Sequence, residues 1–430
     1  MVVRLTLSFF ISLLGIFWMF FCYYFGIYNF IYFIVLYCLI FVFLKPNRAI
    51  SPLSIFYGYY GVFYIVAPLF AERYQENVLN RPEFLLSYAF VYTVFSIGAF
   101  SINYGEYFVR RLKLPNRNVN VVSLLRIGRW VKRLFVISTL LIVLIVLSSG
   151  GFSKWIADPG DAFLNRGGSG VFVILSQFSS MALAALVGFV SFKKNSKKLL
   201  YLFYLWIVIT SPVHGSKGQM ALLIILSLIP WLRNMSFGNK KSLMLYFSFI
   251  CIFFLGLYFR NFTWIDSKTF MPYVFNYFTT LENLAVSVRD FDPDFLKTFF
   301  LPFVKFLTPF GLERPDMYFD MNHMLTDIYY PTAWEMRATE QWPVETDLYL
   351  NFYFFGGLPI VGMYLFIIGI SYGYSLKTNS LGSWFATMLL TMGLISHLRG
   401  SLYNSNDFYL YPYIIMMFYL FRNFEIKEIE

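Results

Sequence analysis

Residues 84–103, with the sequence FLLSYAFVYTVFSIGAFSIN, form a run of 20 residues that contains no charged side chain. About 20 apolar residues in a helix are enough to cross the hydrocarbon core of a bilayer. The rest of the chain is similar, since 58% of its 430 residues are hydrophobic and 13% are charged. A soluble domain has about 25% charged residues. The composition therefore predicts an all-α, polytopic membrane protein.

Apolar runs of comparable length recur on both sides of this segment and predict about 12 transmembrane helices. We expect a single membrane domain over residues 1–430. The predicted spans lie near residues 5–25, 27–44, 53–70, 84–103, 134–149, 171–191, 199–213, 219–232, 242–259, 347–375, 381–396 and 408–421.

The distribution of charge predicts the orientation of these spans. With both termini on the inner side, the inner segments carry 21 Lys or Arg and 4 Asp or Glu, whereas the outer segments carry 13 and 19. Cytoplasmic loops carry the excess of Lys and Arg. We therefore expect cytoplasmic termini, with contacts between the basic inner segments and anionic lipid head groups. A nucleic-acid partner is not expected, because the basic residues do not belong to one soluble patch.

Two segments interrupt the apolar pattern. Residues 104–133 are basic and partly amphipathic, which predicts a cytoplasmic segment in the membrane interface. Residues 260–346 are polar and aromatic and predict a large periplasmic loop with amphipathic helices. Within this loop we expect helices ending near Asp290, from Phe295 to about Phe306, and at Asn322–Tyr329. A large polar insert between spans can hold a polar substrate at the membrane surface.

Cysteine chemistry and metal chemistry are not indicated. The three cysteines, Cys22, Cys38 and Cys251, all lie in predicted spans and lack metal-ligand spacing. Between the termini, Glu106 is the only acid on the predicted inner face. We therefore expect no cofactor and no bound metal ion.

Cations close to the outer ends of spans are candidates for anion binding, because charges at membrane depth are costly. Glycines beside such cations allow backbone N–H groups to approach a phosphate. Four cations have this placement: Arg166, Lys217, Arg260 and Arg399. All of them except Arg260 have a glycine neighbour. We expect them to converge around one diphosphate. The alternative is that they extend to the phosphates of surrounding lipids.

A general base could come from a histidine or an acid on the same face. The three histidines, His214, His323 and His397, all map to the outer side. A neutral imidazole there could accept a proton from a sugar hydroxyl. The acids that could do the same are Glu313, Asp316, Asp320, Glu335, Glu345 and Asp347, and their spacing does not choose among them.

One motif resembles a known family. Asp347-Leu348-Tyr349-Leu350-Asn351-Phe352, followed by Phe355-Gly356-Gly357 and Gly362, resembles the segment that follows the large outer loop of oligosaccharide repeat-unit polymerases. These are the O-antigen and capsule polymerases of bacterial inner membranes. Arg166-Gly167 and Gly215-Ser216-Lys217-Gly218 also look like recurrent elements of that family, with Lys217 where members commonly have Arg.

The resemblance implies a metal-independent glycosyltransferase of the lipid-donor, GT-C type. Such an enzyme moves a growing glycan from undecaprenyl diphosphate to a sugar hydroxyl of another lipid-linked repeat unit. The implied partners are undecaprenyl-diphosphate-linked oligosaccharides, membrane lipids and a regulator of chain length. We predict His323, Glu345 and Asp347 as catalytic. We predict diphosphate or glycan contacts from Arg166, His214, Lys217, Arg260, Arg314, Arg337, Asn351 and Arg399.

Two alternative functions are a ligase of the same architecture and a polysaccharide flippase or transporter. A ligase would transfer the finished glycan to the lipid A core or to a protein. A polysaccharide flippase or transporter would be expected to show charges within its spans and repeat symmetry. We find no convincing internal repeat, and the charges gather at the ends of the predicted spans.

Overall fold

The computed structural model describes most of the chain. The described residues are 2–71, 73–113, 124–157, 162, 170–214, 217–261, 267–307, 318–332 and 340–426. These residues are helical and contain no strand. Two isolated bridges, Arg48 with Ser236 and Ser380 with Glu425, are their only β-type pairings.

The helices are numbered here in chain order. They are α1 (Val2–Tyr24), α2 (Phe30–Phe43), α3 (Pro52–Phe70), α4 (Glu76–Leu79), α5 (Pro82–Arg111), α6 (Leu124–Ser148), α7 (Gly151–Ala157), α8 (Gly170–Lys193), α9 (Lys198–His214), α10 (Lys217–Leu232), α11 (Lys240–Asn261), α12 (Ser267–Asn276), α13 (Thr280–Asp290), α14 (Leu301–Leu307), α15 (Met321–Tyr329), α16 (Val344–Phe352), α17 (Leu358–Thr378), α18 (Leu381–Leu398) and α19 (Asp407–Phe421).

Seven described segments are helical, long and apolar enough to cross a membrane. They are α1, α3, α5, α6, α8, residues Phe355–Thr378 and α18. Four shorter apolar helices, α2, α9, α10 and α19, coincide with other predicted spans. The predicted all-α class is therefore confirmed, whereas the number of twelve spans stays a prediction.

The predicted span 347–375 is wrong at its start. Helix α16 ends at Phe352, and the next two residues, Tyr353 and Phe354, have φ angles of +51° and +62°. Residues other than glycine rarely adopt positive φ, and such a residue ends a helix. A 3₁₀ turn at Phe355–Gly357 then leads into α17. The acids of α16 consequently lie outside the apolar span.

The predicted helix from Phe295 to Phe306 also begins too early, because α14 starts at Leu301. The backbone N–H groups ahead of it are used elsewhere. Asp294 donates to the carbonyl of Leu350 at 2.9 Å, and Leu296 donates to that of Asn351 at 3.0 Å. These bonds satisfy carbonyls at the C-terminal end of α16, which have no partner within their own helix.

Two other helix predictions for the insert are confirmed. Helix α13 ends at Asp290 and α15 covers Met321–Tyr329, as expected. The basic segment 104–133 begins as the last turns of α5 and ends as the first turns of α6. Its placement in the membrane interface stays a prediction, and so does the periplasmic side of residues 260–346.

The chain divides into two compact units. The first contains Met1–Arg111, Met235–Gly373 and Gly393–Leu410, and α5 lies at its centre, in contact with α1, α3 and α13. A Cβ at Gly369 of α17 would come within 2.2 Å of the carbonyl oxygen of Ile102 in α5. Glycine is therefore needed for the close approach of these two helices.

The second unit contains Leu112–Asn234, Tyr374–Met392 and Tyr411–Glu430. Helix α8 lies between α6 and α10. A Cβ at Gly188 of α8 would come within 2.0 Å of the Ser227 carbonyl oxygen on α10, so this contact also depends on a glycine.

Candidate functional site

Only some of the predicted site residues have a described side chain. Arg166, Arg314 and Arg337 lie outside the described residues, and so do Glu313, Asp316 and Glu335. His214 ends α9, Lys217 begins α10 and Arg260 lies in the last turn of α11, but their side chains are not described. The predicted convergence of the four cations therefore stays a prediction. The described side chains are those of His323, Glu345, Asp347, Asn351 and Arg399, all in the first unit.

The deepest of these residues is Glu345, in the first turn of α16. Its side chain is fully buried. The hydroxyl of Tyr60 donates to one carboxylate oxygen at 2.7 Å, and that of Tyr64 donates to the other at 3.3 Å. Burial disfavours the charged form and raises the pKa of Glu345 to about 7, although the two hydroxyl bonds act in the opposite direction. The carboxyl is therefore poised to gain or lose a proton near neutral pH.

Helix α3 supplies both tyrosines and has an unusual local geometry there. Residues Val62–Val66 form a π-helical turn within the otherwise α-helical segment. Such turns are rare, and they occur frequently at functional sites. Tyr60 and Tyr64 reach Glu345, whereas Tyr59 stacks on Phe63 with ring centroids 4.5 Å apart. The helix thus supplies two pairs of aromatic residues to the site.

Asp347 lies two residues further along α16 and is also buried. It accepts a hydrogen bond from the backbone N–H of Leu402 at 3.0 Å and another from the amide of Asn351 at 2.7 Å. Burial raises the pKa of Asp347 to about 6, and the negative charge of Asp320 adds to this effect. Asp347 therefore ties the segment after α18 to α16.

Asn351 is occupied by contacts within the protein. Its amide nitrogen also donates to the hydroxyl of Thr298 at 2.9 Å, and its amide oxygen accepts from the backbone N–H of Thr298 at 2.7 Å. These bonds hold the segment before α14 against α16. The predicted role of Asn351 in glycan binding stays a prediction.

Arg399 is the predicted cation whose surroundings are described. Its guanidinium carbon lies 5.6 Å from the ring centroid of Phe63 and 5.5 Å from that of Tyr277, which are cation–π distances. No carboxylate among the described residues lies within ion-pair distance of it. Its backbone carbonyl accepts from the amide of Asn322 at 3.3 Å. Arg399 is thus half-buried between two rings, with its charge not neutralised by a described carboxylate.

Tyr59 connects the cation to the acid. Its hydroxyl donates to the carbonyl of Leu398 at 2.7 Å, next to Arg399 in the chain. The ring of Tyr59 also lies 5.3 Å from that of Tyr60, which donates to Glu345. The Glu345 carboxyl and the Arg399 guanidinium therefore contact neighbouring residues of α3, Tyr60 and Phe63.

Several buried polar atoms in the same segments have no hydrogen-bond partner among the described residues. They are Gln341 Oε1, Trp342 Nε1, Thr346 Oγ1, Arg399 Nε and Ser401 Oγ. Buried polar groups are normally hydrogen-bonded. Their number near Glu345 and Arg399 is what a site for a polar ligand or ordered water would need.

His323 lies on α15, one residue after Asn322. Its Nδ1 lies 3.3 Å from the Asp320 carboxylate, and its backbone N–H donates to the same side chain at 2.9 Å. Burial lowers the pKa of His323, which favours a neutral imidazole.

Comparison with protein-family models, with characterised proteins and with solved structures finds no match to this chain. The resemblance to the repeat-unit polymerases therefore rests on the sequence motifs. The site has to be interpreted from its own chemistry.

Among the described residues, no group of three His, Cys, Asp or Glu side chains is arranged to hold a metal ion. What the described site offers is a buried acid with a near-neutral pKa, a cation between two aromatic rings and several polar atoms. An acid of this kind can accept a proton from a hydroxyl. A cation of this kind can stabilise a leaving phosphate.

Sequence reasoning missed the residues that hold this site together. Tyr60 and Tyr64 have the i, i+4 spacing of one helix face, but they lie in a run that also contains Tyr57 and Tyr59. That pattern predicts a buried aromatic face and does not indicate a carboxylate partner. Asp407 was missed as well. It lies at the start of a predicted span, and its 2.8 Å contact with His397 is a tertiary feature.

Proposed function

We propose that this protein is a polymerase of lipid-linked oligosaccharide repeat units, acting at the outer face of a bacterial inner membrane. One observation carries the proposal. At the C-terminal end of the large insert, a fully buried acid with a pKa of about 7 and a cation that no described carboxylate neutralises contact neighbouring residues of α3. The polymerase-like motif that begins at Asp347 lies on the helix that carries this acid.

In the proposed reaction, a sugar hydroxyl of one repeat unit attacks the anomeric carbon of the glycan on another carrier. The new bond joins the hydroxyl oxygen to the anomeric carbon, and the bond from that carbon to the diphosphate oxygen breaks. The hydroxyl proton passes to the ionised carboxylate of Glu345, and the polyprenyl diphosphate leaves with the bonding electrons. The charge on the diphosphate grows in the transition state, where the Arg399 guanidinium stabilises it.

Local movement is part of the proposal. Glu345 is fully buried, so an acceptor sugar can reach it only when side chains that cover the carboxyl are displaced. The buried polar atoms nearest to it in sequence, Trp342 Nε1 and Thr346 Oγ1, have no partner among the described residues. They would then form hydrogen bonds with sugar hydroxyls, which offsets the loss of the closed packing.

The test is synthesis with purified protein in liposomes and undecaprenyl-diphosphate-linked repeat units, with the products resolved by length. The wild-type protein should make a ladder of polymers. Glu345→Gln should lower the rate by about 10²- to 10⁴-fold, the usual contribution of a general base. Asp294→Asn, a change at an exposed acid of the insert, is the matched control and should retain the ladder.

The products also distinguish the alternatives. Transfer of a preformed glycan to lipid A core without any lengthening would identify a ligase and contradict the proposal. Movement of the lipid-linked unit across the liposome membrane without a new glycosidic bond would identify a flippase. Polymer synthesis by Glu345→Gln at the wild-type rate would show that Glu345 is not the general base.

A further inference from the structure

The segment between α18 and α19 is closed by a buried histidine–aspartate pair. His397, in the penultimate position of α18, and Asp407, the first residue of α19, are 3% and 6% exposed. His397 Nε2 lies 2.8 Å from an Asp407 carboxylate oxygen, and Nδ1 lies 2.6 Å from the hydroxyl of Tyr364 on α17. All three side chains belong to the first unit.

The donors and acceptors in this group have one consistent arrangement. A carboxylate only accepts hydrogen bonds, so Nε2 of His397 carries the proton and donates it to Asp407. In the neutral ring Nδ1 is then an acceptor, and the Tyr364 hydroxyl donates to it. The same oxygen of Asp407 also accepts from the backbone N–H of Asn404 at 2.7 Å. The pair therefore fixes both ends of the segment.

The segment enclosed by this pair carries groups of the candidate site. Arg399 lies two residues after His397, with its guanidinium between Phe63 and Tyr277. The backbone N–H of Leu402 donates to Asp347. The hydroxyl of Tyr403 donates to the carbonyl of Phe299. A change in the position of the segment would move Arg399 and release Leu402 together.

We propose that His397, Asp407 and Tyr364 form a clasp that positions Arg399 against Phe63 of α3, the helix whose tyrosines hold Glu345. They are positioning residues, since each is buried and acts through the segment it closes. The effect on catalysis rests on the proposed polymerase function, but the geometric claim does not. If the clasp fixes the segment, the hydrogen bond from the Leu402 N–H to Asp347 depends on the His397–Asp407 contact.

Two substitutions of His397 separate its two bonds. In His397→Gln the amide nitrogen reaches the region of the original Nε2, so the donation to Asp407 is retained. In His397→Asn the shorter side chain reaches only the region of Nδ1, so that donation is lost. We expect the glutamine variant to keep most of the wild-type behaviour and the asparagine variant to lose it.

Hydrogen exchange of the Leu402 amide tests the geometric claim without any activity. In the wild-type protein this N–H is bonded to a buried carboxylate and should exchange slowly. His397→Asn should raise its exchange rate at least about tenfold, whereas His397→Gln should not. Tyr204→Phe is the matched control, because it removes a comparable hydroxyl bond, to Ser227, in the other unit. Unchanged exchange in His397→Asn would overturn the proposal.

A double-mutant cycle tests the catalytic claim. Arg399→Ala and His397→Asn should each slow polymer synthesis by roughly 30-fold or more. If the clasp acts through Arg399, adding His397→Asn to Arg399→Ala should lower the rate by less than about threefold further. Simple loss of folded protein would instead multiply the two effects and overturn the positioning role. If neither the wild-type protein nor any variant synthesises polymer, the proposed function fails, while the exchange experiment still decides the clasp.

Discussion

The hydroxyl of Tyr60 should set the pH dependence of the reaction. It donates to Glu345 at 2.7 Å inside a fully buried site, where the pKa of the acid is about 7. A hydrogen bond to a charged acceptor contributes about 1.5–3 kcal/mol, which corresponds to roughly 1–2 pKa units. Tyr60→Phe removes this stabilisation of the carboxylate and leaves the ring in place. The pKa of Glu345 should therefore rise to roughly 8–9.

This shift has a calculable effect on the rate, if ionised Glu345 is the base. At pH 7 the ionised fraction should fall from about one half to roughly 1–10%, and the rate should fall about 5- to 50-fold. At pH 9 at least about half of the carboxyl is ionised in both proteins, so the rates should agree within about twofold. Tyr64→Phe should cause a smaller shift, because its contact is longer, at 3.3 Å.

The assay is the initial rate of polymer synthesis in liposomes between pH 5.5 and 9.5. Tyr57→Phe is the matched control, since Tyr57 is a buried tyrosine of the same helix whose hydroxyl donates to the carbonyl of Ile40. It should leave the profile in place. If the rate rises with pH over the same pH range in Tyr60→Phe and in wild type, the assignment of Glu345 as the base is refuted.

Four further outcomes are expected. The pKa of Glu345 is higher in the folded protein than its ordinary 4.5, so stability falls as pH rises from about 4.5 through about 7. Glu345→Gln should consequently raise the thermal midpoint of unfolding relative to wild type at pH 8 and leave it unchanged at pH 4.5. The rise should correspond to about 3 kcal/mol at most. A lower midpoint than wild type at pH 8 would contradict the desolvation argument. Arg399→Ala should slow polymer synthesis by roughly 30- to 1,000-fold, and Arg399→Lys should be intermediate, because it keeps the charge and loses the flat contact with the rings. Synthesis should continue in EDTA, and loss of activity restored by Mg²⁺ would contradict a metal-independent transfer. In intact cells, a membrane-impermeant thiol reagent should label a cysteine placed at Asp316 and spare one placed at Asn118, and the reverse result would contradict the predicted topology.

Local sequence was sufficient for the helical class of the protein. The uncharged run at 84–103 lies within α5, and the other predicted spans also correspond to helices, because in an apolar run the backbone satisfies its hydrogen bonds within a single helix. Sequence also placed Arg399 among four candidate cations, since charges beside apolar spans are costly and therefore few. Glu345 and Asp347 were two of six candidate acids that spacing did not separate. It did not predict the break after Phe352, which depends on positive φ angles at Tyr353 and Phe354 that neither residue type favours.

The arrangement of the site depends on tertiary contacts between residues that are distant in sequence. Tyr60 and Glu345 are 285 positions apart in the chain, and nothing local to either residue indicates the other. The same holds for Leu402, whose N–H reaches the carboxylate of Asp347 across 55 positions. The pKa values of these acids follow from burial, which arises when α16 packs against α3 and against the segment after α18. Periodicity and charge along the chain report which residues avoid lipid, whereas the choice of partner for each buried charge depends on which helices meet in the fold.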